Sequence, residues 1–293
     1  MFPAAFAYLQ VRSVDEALAA LAKNGSDARI LAGGQSLIPA MRYRLARPGM
    51  LVDINRIGEL NYIREHDSML AIGACTRDVA IERSPQIAQR YLLIADVSRL
   101  VADPVVRQMG TVVGSLCHSD PAGDWSVAAL AGRAQIRVRG AKGERVVPID
   151  EFLVDSFTTA LSDGEMAIEV CFPTPDAKTS GAYAKLERKV GDFATAAAAA
   201  QLSLAADGTI AQAGIAIGAA GPKAQRVSAA EQLLRGTKPS RDAIRAAGEE
   251  AKKLANPAGD LRGSAAYKKE MAAVLVRRSL EKALERLGIG GMA

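Results

Sequence analysis

This 293-residue chain is short of the side chains that build metal and redox centres. It has three cysteines, Cys75, Cys117 and Cys171, and two histidines, His66 and His118. An odd number of widely spaced cysteines offers neither a disulfide framework nor a CxxC pair. Three thiols also fall short of the four that normally hold an iron–sulfur cluster, so any cluster exchanging electrons with this chain must sit on another polypeptide. With two histidines a zinc site is not expected. Cys117 and His118 are sequence neighbours, which seldom face each other, and no third residue orients them as nucleophile and base. Aromatic residues make up 4% and do not alternate with basic ones, which leaves little for stacking nucleic-acid bases. No run approaches eighteen uninterrupted large apolar residues. The start, Met1-Phe2-Pro3-Ala4-Ala5-Phe6, lacks the basic and apolar regions of a signal peptide, so a cytoplasmic protein without a transmembrane segment is expected. No GxGxxG follows a strand, so a separate nicotinamide-binding fold is not visible.

What is present is an ordinary globular composition, 49% apolar and 24% charged, long enough for two cores. The net charge of +5 is uneven: from Pro222 onward there are 15 Lys and Arg against 8 Asp and Glu, a net +7, which leaves −2 for the rest. A basic C-terminal face can steer an acidic partner or simply be a solvated helix surface.

Two glycine loops stand out. Ile30-Leu31-Ala32-Gly33-Gly34-Gln35-Ser36-Leu37-Ile38-Pro39 reads as a strand running into a tight loop that opens a short helix. Adjacent glycines let successive N–H groups converge on a phosphate oxygen, and Ser36 adds a hydroxyl. Alone, such a stretch is more often a plain turn. A second loop of similar make-up, Val105 to Leu116 with Gly110-Thr111 and Gly114-Ser115, changes the reading. Two anion cradles on separate units suit an extended dinucleotide such as FAD, with its pyrophosphate in the crevice between Gly33 and Gly114.

The rest of the chain fits around these loops. Ser13-Val14-Asp15-Glu16 has capping-box spacing and opens a helix ending near Asn24-Gly25. Strands at Ile30 to Ala32 and Met50 to Ile54 complete a βαβ-like lobe. Ser68 to Ala74 is a strand, Thr76 can cap a helix through about Arg83, and Pro85 opens the next helix. A short helix follows Asp124, and Gln135 to Arg139 pairs with Arg145 to Pro148 across a Gly140/Gly143 turn. Glu165 to Phe172 closes this lobe, and Pro173 to Asp176 links it to a third region. There the alanine run Ala196 to Ala200 is helical by propensity, yet its continuation through Leu202, Leu204 and Asp207-Gly208 to Ile210, Ile215 and Ile217 reads as a hairpin. Helices are expected over Ser228 to Leu234, Ser240 to Leu254 and Ser264 to Leu287.

The segments Ala32 to Pro39 with Arg44-Leu45, Ile72-Gly73-Ala74-Cys75-Thr76, and Gly110-Thr111 through Asp120-Pro121-Ala122-Gly123-Asp124 resemble the FAD-binding medium subunit of molybdenum hydroxylases, the carbon monoxide dehydrogenase and xanthine dehydrogenase flavoprotein family. The match is ordered and runs from about Pro3 to about Leu287. It implies an α+β architecture: a VAO/PCMH-type FAD-binding fold of two α/β lobes, residues 1–57 and 58–176, plus a C-terminal α/β domain, 177–293, of a short antiparallel sheet with helices. It also implies an oxidoreductase subunit. FAD would accept electrons from [2Fe-2S] clusters on a small subunit, after a large subunit carrying the molybdenum cofactor hydroxylates the substrate, and then reduce NAD or another acceptor. A dimer of heterotrimers is expected.

By the same resemblance Ala32, Gly33, Gly34, Gln35, Ser36 and Leu37, with Thr111, Gly114 and Ser115, contact the pyrophosphate. Asp124 would accept from sugar hydroxyls or instead cap the helix before Trp125. Leu161 would contact the flavin region. Lys185 would stabilise a reduced, anionic flavin or be a surface lysine on an alternating strand. Phe193 would be an aromatic wall or core packing.

Two departures matter. The family's Thr-x-Gly-Gly is Thr111-Val112-Val113-Gly114 here, so a β-branched residue replaces a glycine able to take positive φ; FAD retained in a shifted loop is expected. Gln35 stands where carbon monoxide dehydrogenase-like members resemble Gly-Gly-His, which makes carbon monoxide oxidation less favoured, and with no histidine in the loop the FAD should be non-covalent. The rival readings are a stand-alone FAD-dependent NAD(P)H reductase and a non-catalytic assembly protein with empty loops.

Overall fold

The computed structural model describes residues 2–290. The first lobe is a three-stranded parallel sheet, order β1-β3-β2, from β1 (Ala7–Gln10), β2 (Ala28–Leu31) and β3 (Met50–Asp53). Helix α1 (Val14–Asn24) crosses between β1 and β2, and α2 (Leu37–Arg42) between β2 and β3. Ser13 accepts from the Glu16 N–H (3.2 Å), while the Glu16 carboxylate accepts from the Arg12 N–H (2.7 Å), one residue before the usual reciprocal partner.

The second lobe is a five-stranded antiparallel sheet, order β4-β5-β10-β6-β7. β4 (Ile63–His66) and β5 (Met69–Gly73) lead into six helices: α3 (Asp78–Glu82), α4 (Pro85–Arg90), α5 (Leu92–Leu100), α6 (Pro104–Arg107), α7 (Val112–His118) and α8 (Asp124–Ala131). The hairpin β6 (Gln135–Gly140) and β7 (Gly143–Pro148) follows, then α9 (Ile149–Phe152), a small ladder of β8 (Leu153–Asp155) and β9 (Thr158–Thr159), and β10 (Met166–Pro173). One apolar cluster, including Val52, Ile72, Leu116 and Trp125, runs unbroken through both lobes.

Three local expectations change. Thr76 caps no helix: its hydroxyl donates to the Tyr62 carbonyl (2.8 Å) and accepts from the Tyr62 N–H (3.0 Å), and α3 begins two residues later. The helix opened by Pro85 breaks at Tyr91 (φ −107°, ψ 63°), whose hydroxyl donates to Glu65 on β4 (2.6 Å) and lies 3.1 Å from the Thr174 hydroxyl. A third, unforeseen element is α6, started by Asp103 accepting from the Val105 and Val106 N–H groups, with Pro104 at the first helical position.

The C-terminal region is a four-stranded antiparallel sheet of β11 (Thr179–Leu186), β12 (Ala196–Leu204), β13 (Ile210–Gly218) and β14 (Gln225–Arg226), followed by α10 (Ser228–Leu234), α11 (Arg241–Leu254) and α12 (Ala265–Arg286). The alanine run is a strand because both of its faces are covered. Ala197 and Ala199 belong to the core of the lobes, whereas Ala196, Ala198 and Ala200 belong to a second core with Leu275, Val276 and Leu280 of α12. Helices α8 and α12 pack on opposite faces of β12, and only small side chains fit between them. Glycines do the same on neighbouring strands: a Cβ at Gly214 would overlap the Ala131 carbonyl oxygen of α8. A charged clasp joins the same layers. Asp96 of α5 accepts from Arg286 (2.8 and 3.0 Å) and Lys282 (3.0 Å) of α12 and from the Tyr183 N–H (3.2 Å). Burial raises the Asp96 carboxyl, but these two cations outweigh it and hold it below its ordinary range. No helix among the described residues is long and apolar enough to cross a membrane.

Gly214→Ala is expected to destabilise the chain by about 1–3 kcal/mol through overpacking against backbone that cannot give way. Urea unfolding monitored by circular dichroism measures this, and a midpoint equal to the parent's would contradict the close packing.

Candidate functional site

The first glycine loop leaves the C-terminal end of β2. Gly34 has φ 73°, a conformation that L side chains rarely adopt. Gly33 is needed for space rather than for φ, since a Cβ there would overlap the carbonyl oxygen of Met109, in the second loop. The two loops, some eighty residues apart in the chain, are therefore in backbone contact. Among the described residues the N–H groups of Gly33, Gly34, Gln35, Ser36 and Leu37 have no hydrogen-bond partner, and the Ser36 hydroxyl does not cap α2. Five successive free donors beside one hydroxyl fit a diphosphate, whose oxygens are held by backbone N–H groups without a lysine.

The second loop turns at Gly110 and enters α7 through Thr111, whose hydroxyl accepts from the Gly114 N–H (3.2 Å). Val113 raises no strain. It lies inside the first turn of α7 with negative φ, and its side chain is buried in the core, so no positive φ is required at this position. Gly110 sits directly over the Asp78 carboxylate, which leaves no room for a side chain.

A polar brace unforeseen in the sequence joins the loops. Asn55, two residues past β3, donates to the Ala32 carbonyl (2.9 Å) and to Asp53 (2.6 Å), and its own oxygen accepts from Arg77 (2.6 Å). Arg77 also donates to the Met109 carbonyl (2.6 Å). Because a peptide's C=O and N–H point opposite ways, fixing the Ala32 oxygen on Asn55 turns the Gly33 N–H away from the brace. Burial raises the Asp53 carboxyl, but donation by Tyr8 and Asn55 prevails and holds it low. Asp78, beneath the second loop, has the opposite balance. Its burial pushes the carboxyl up to about 7, against the Trp125 indole N–H (3.0 Å) and the charges of Arg107 and Arg77. Polar residues following β3 and β5, where those strands end beside the loops, were the available sequence signal.

The other expected residues lie around the second loop. Asp124 is the first residue of α8, with Gly123 as N-cap, and is buried; it accepts from the Tyr183 hydroxyl (2.5 Å) and Lys185 (3.1 Å). Burial raises its carboxyl against the pull of Lys185. The Lys185 side chain is 1% exposed; its ammonium also contacts Glu187 (3.2 Å) and donates to the Leu100 carbonyl (3.0 Å), so its charge is balanced within the protein. Leu161 is half-buried at the edge of the core, two residues past β9, which packs on α7. Phe193 is 50% exposed, so it is not core packing. Its loop is anchored by Asp192, whose carboxyl Arg262 and Arg188 hold down at about 2 despite some burial, and by Gly191, packed on Ala102 and Asp103 just ahead of α6. No cluster of three or more His, Cys, Asp or Glu able to hold a metal occurs among the described residues.

A parallel lobe and an antiparallel lobe meeting at two abutting glycine loops, the first with a row of free N–H groups, define a dinucleotide-binding flavoprotein. Family comparison agrees: residues 4–175 match the FAD binding domain in molybdopterin dehydrogenase, and residues 181–283 the CO dehydrogenase flavoprotein C-terminal domain. The chain is 40% identical to the carbon monoxide dehydrogenase medium chain of Hydrogenophaga pseudoflava, covering 98% of this chain and 99% of that one. It is 37% identical to the 6-hydroxypseudooxynicotine dehydrogenase complex subunit alpha of Paenarthrobacter nicotinovorans, covering 98% and 97%. Among solved structures, a chain of the H. pseudoflava carbon monoxide dehydrogenase superposes with a TM-score of 0.95 at 42% identity, covering 98% of this chain and 99% of the other. The chain belongs to the FAD-binding medium subunits of the molybdenum hydroxylases.

Gly33→Ala forces the two loops apart and is expected to weaken FAD binding at least about tenfold, read by flavin fluorescence on titrating the flavin-free chain; parental affinity would contradict the contact. Asp78 supplies a pH prediction. Its carboxyl is raised above its unfolded value, so its contribution to stability is fully present below about pH 4 and lost as pH rises through about 7. Asp78→Asn should flatten the fall in unfolding free energy between those limits relative to the parent, and parallel urea-unfolding profiles would refute the assignment.

Proposed function

We propose that this chain carries one non-covalent FAD between its two loops and relays electrons through it, receiving them from [2Fe-2S] clusters on a small subunit. A large subunit with the molybdenum cofactor would hydroxylate the substrate, and the FAD would deliver to an external acceptor, NAD among the candidates. The observation that carries this reading is the row of unpartnered N–H groups from Gly33 to Leu37, on a loop held in backbone contact with Met109 of the second loop. When bound, flavin supplies a junction that collects electrons singly and delivers one or two.

The chain's own residues bind and orient. Ala32 to Leu37 with Thr111, Gly114 and Ser115 hold the diphosphate. Asp124 keeps acceptor capacity for a sugar hydroxyl while Lys185 and Tyr183 fix its direction. Leu161 and Phe193 flank the flavin region, Phe193 exposing its ring from an anchored loop. Gln35 supports non-covalent attachment, because the loop contains no nucleophilic histidine.

Three free cysteines among the described residues supply no cluster ligand set, in keeping with clusters on a partner, and unpaired thiols suit a cytoplasmic setting. The relatives are named for carbon monoxide and 6-hydroxypseudooxynicotine, and a solved relative for quinoline, a spread that fits a substrate pocket on another chain. We place the subunit in a dimer of heterotrimers, with residues 1–57, 58–176 and 177–293 as its structural units, of which residue 1 and residues 291–293 lie outside the described residues.

Acid precipitation of the purified complex should leave all flavin in the supernatant; flavin retained on this chain would refute non-covalent attachment. In the same complex, stopped-flow addition of the substrate that the complex hydroxylates should bleach the iron–sulfur bands before the flavin band. Flavin reduced by NADH in the isolated chain, with no reduction through the clusters, would favour the stand-alone reductase instead.

A further inference from the structure

Arg77 occupies the seam between the two glycine loops, immediately before α3. Of its five N–H donors, one goes to the Met109 carbonyl and one to Asn55, both at 2.6 Å. The Met109 oxygen is the atom against which Gly33 packs, and Asn55 is the residue that holds the Ala32 carbonyl. Arg77 therefore touches one loop directly and the other through a single intermediary. The remaining donors have no partner among the described residues, and no carboxylate there lies within ion-pairing distance. Asp78 feels its charge without pairing with it. Nearby Arg107 shows the contrast: it is matched by both oxygens of Glu82 (2.9 and 3.3 Å) and by the carbonyls of Val101 and Ala102. A half-buried guanidinium without an anion, at the seam where a loop with five free backbone N–H groups meets its neighbour, leaves a positive charge that a bound anion can match.

We propose that Arg77 is the cation that balances the pyrophosphate of FAD and, through Asn55, the residue that sets the spacing of the two loops around it. The inference rests on reading the loops as the dinucleotide cradle and adds a charge requirement that backbone donors alone do not impose. A planar fork suits both tasks, since it can keep its two carbonyl-type partners while presenting further N–H groups to phosphate oxygens. Lysine, a single point charge, restores attraction without the brace.

The test uses the full chain, stripped of flavin, as parent, Arg77→Gln, Arg77→Lys and Gly33→Ala. Affinities for FAD and for riboflavin, which has no phosphate, are measured at low and high salt, together with the melting temperature of each flavin-free form. Arg77→Gln should lose roughly ten- to a hundredfold in FAD affinity. Riboflavin affinity should stay within about twofold of the parent, and the salt dependence of FAD binding should become shallower. Arg77→Lys should recover part of the loss and the parental salt dependence; it also serves if the glutamine variant fails to fold. Parental FAD affinity in Arg77→Gln, or parallel losses for FAD and riboflavin with an unchanged salt dependence, overturns the proposal. If Gly33→Ala loses FAD while Arg77→Gln keeps it, this inference falls and the cradle reading stands. A parent chain that does not bind FAD sinks both.

Discussion

The whole site depends on one backbone contact, Gly33 against the Met109 carbonyl, and on the side chains that keep it closed. Neither loop is stable in its conformation by propensity alone. Gly34 needs a positive φ, and five N–H groups remain without protein partners, an arrangement that costs free energy until a ligand supplies acceptors. Asn55 and Arg77 offset that cost by fixing two carbonyls, one from each loop, through short hydrogen bonds to groups that are themselves held by Asp53 and α3. Donor directions are thus set before the ligand arrives, so less ordering entropy is lost on binding.

What the sequence made legible was local. Capping residues announced α1, the Gly140/Gly143 turn announced its hairpin, and the glycine pairs announced both loops, because each signal lies within a few residues of what it causes. The alanine run was read as a strand only by looking past its propensity to the hairpin beyond, and the structure supplies the reason, two helices pressing on opposite faces. What stayed hidden was the brace, because Asn55 and Arg77 are separated by 22 residues and act on loops at 32 and 109. Thr76 misled for the same reason: a hydroxyl in capping position found a better partner in the strand approach at Tyr62. Val113 looked like a defect only while the loop was assumed to need positive φ there.

The C-terminal domain is more than an appendage to the lobes. Lys185 of β11 holds the last carbonyl of α5, and Gly191 packs on Ala102, so the strap from α5 into α6 and the second loop is gripped from the far domain. Arg107 fastens the same strap from within through Val101 and Ala102. The position of Gly110 is therefore set jointly by two domains, which makes loop geometry sensitive to packing changes more distant than any ligand contact.

The Asp96 clasp has a mechanical corollary. Separating α12 from α5 would strand a buried carboxylate and expose the two-sided alanine strand at the same moment, so parting the halves costs both terms together. The clasp thus ties the C-terminal sheet and helices to the second lobe as one mechanical unit, so strain applied at α12 is carried to α5 and on to the strap that leads into the second loop.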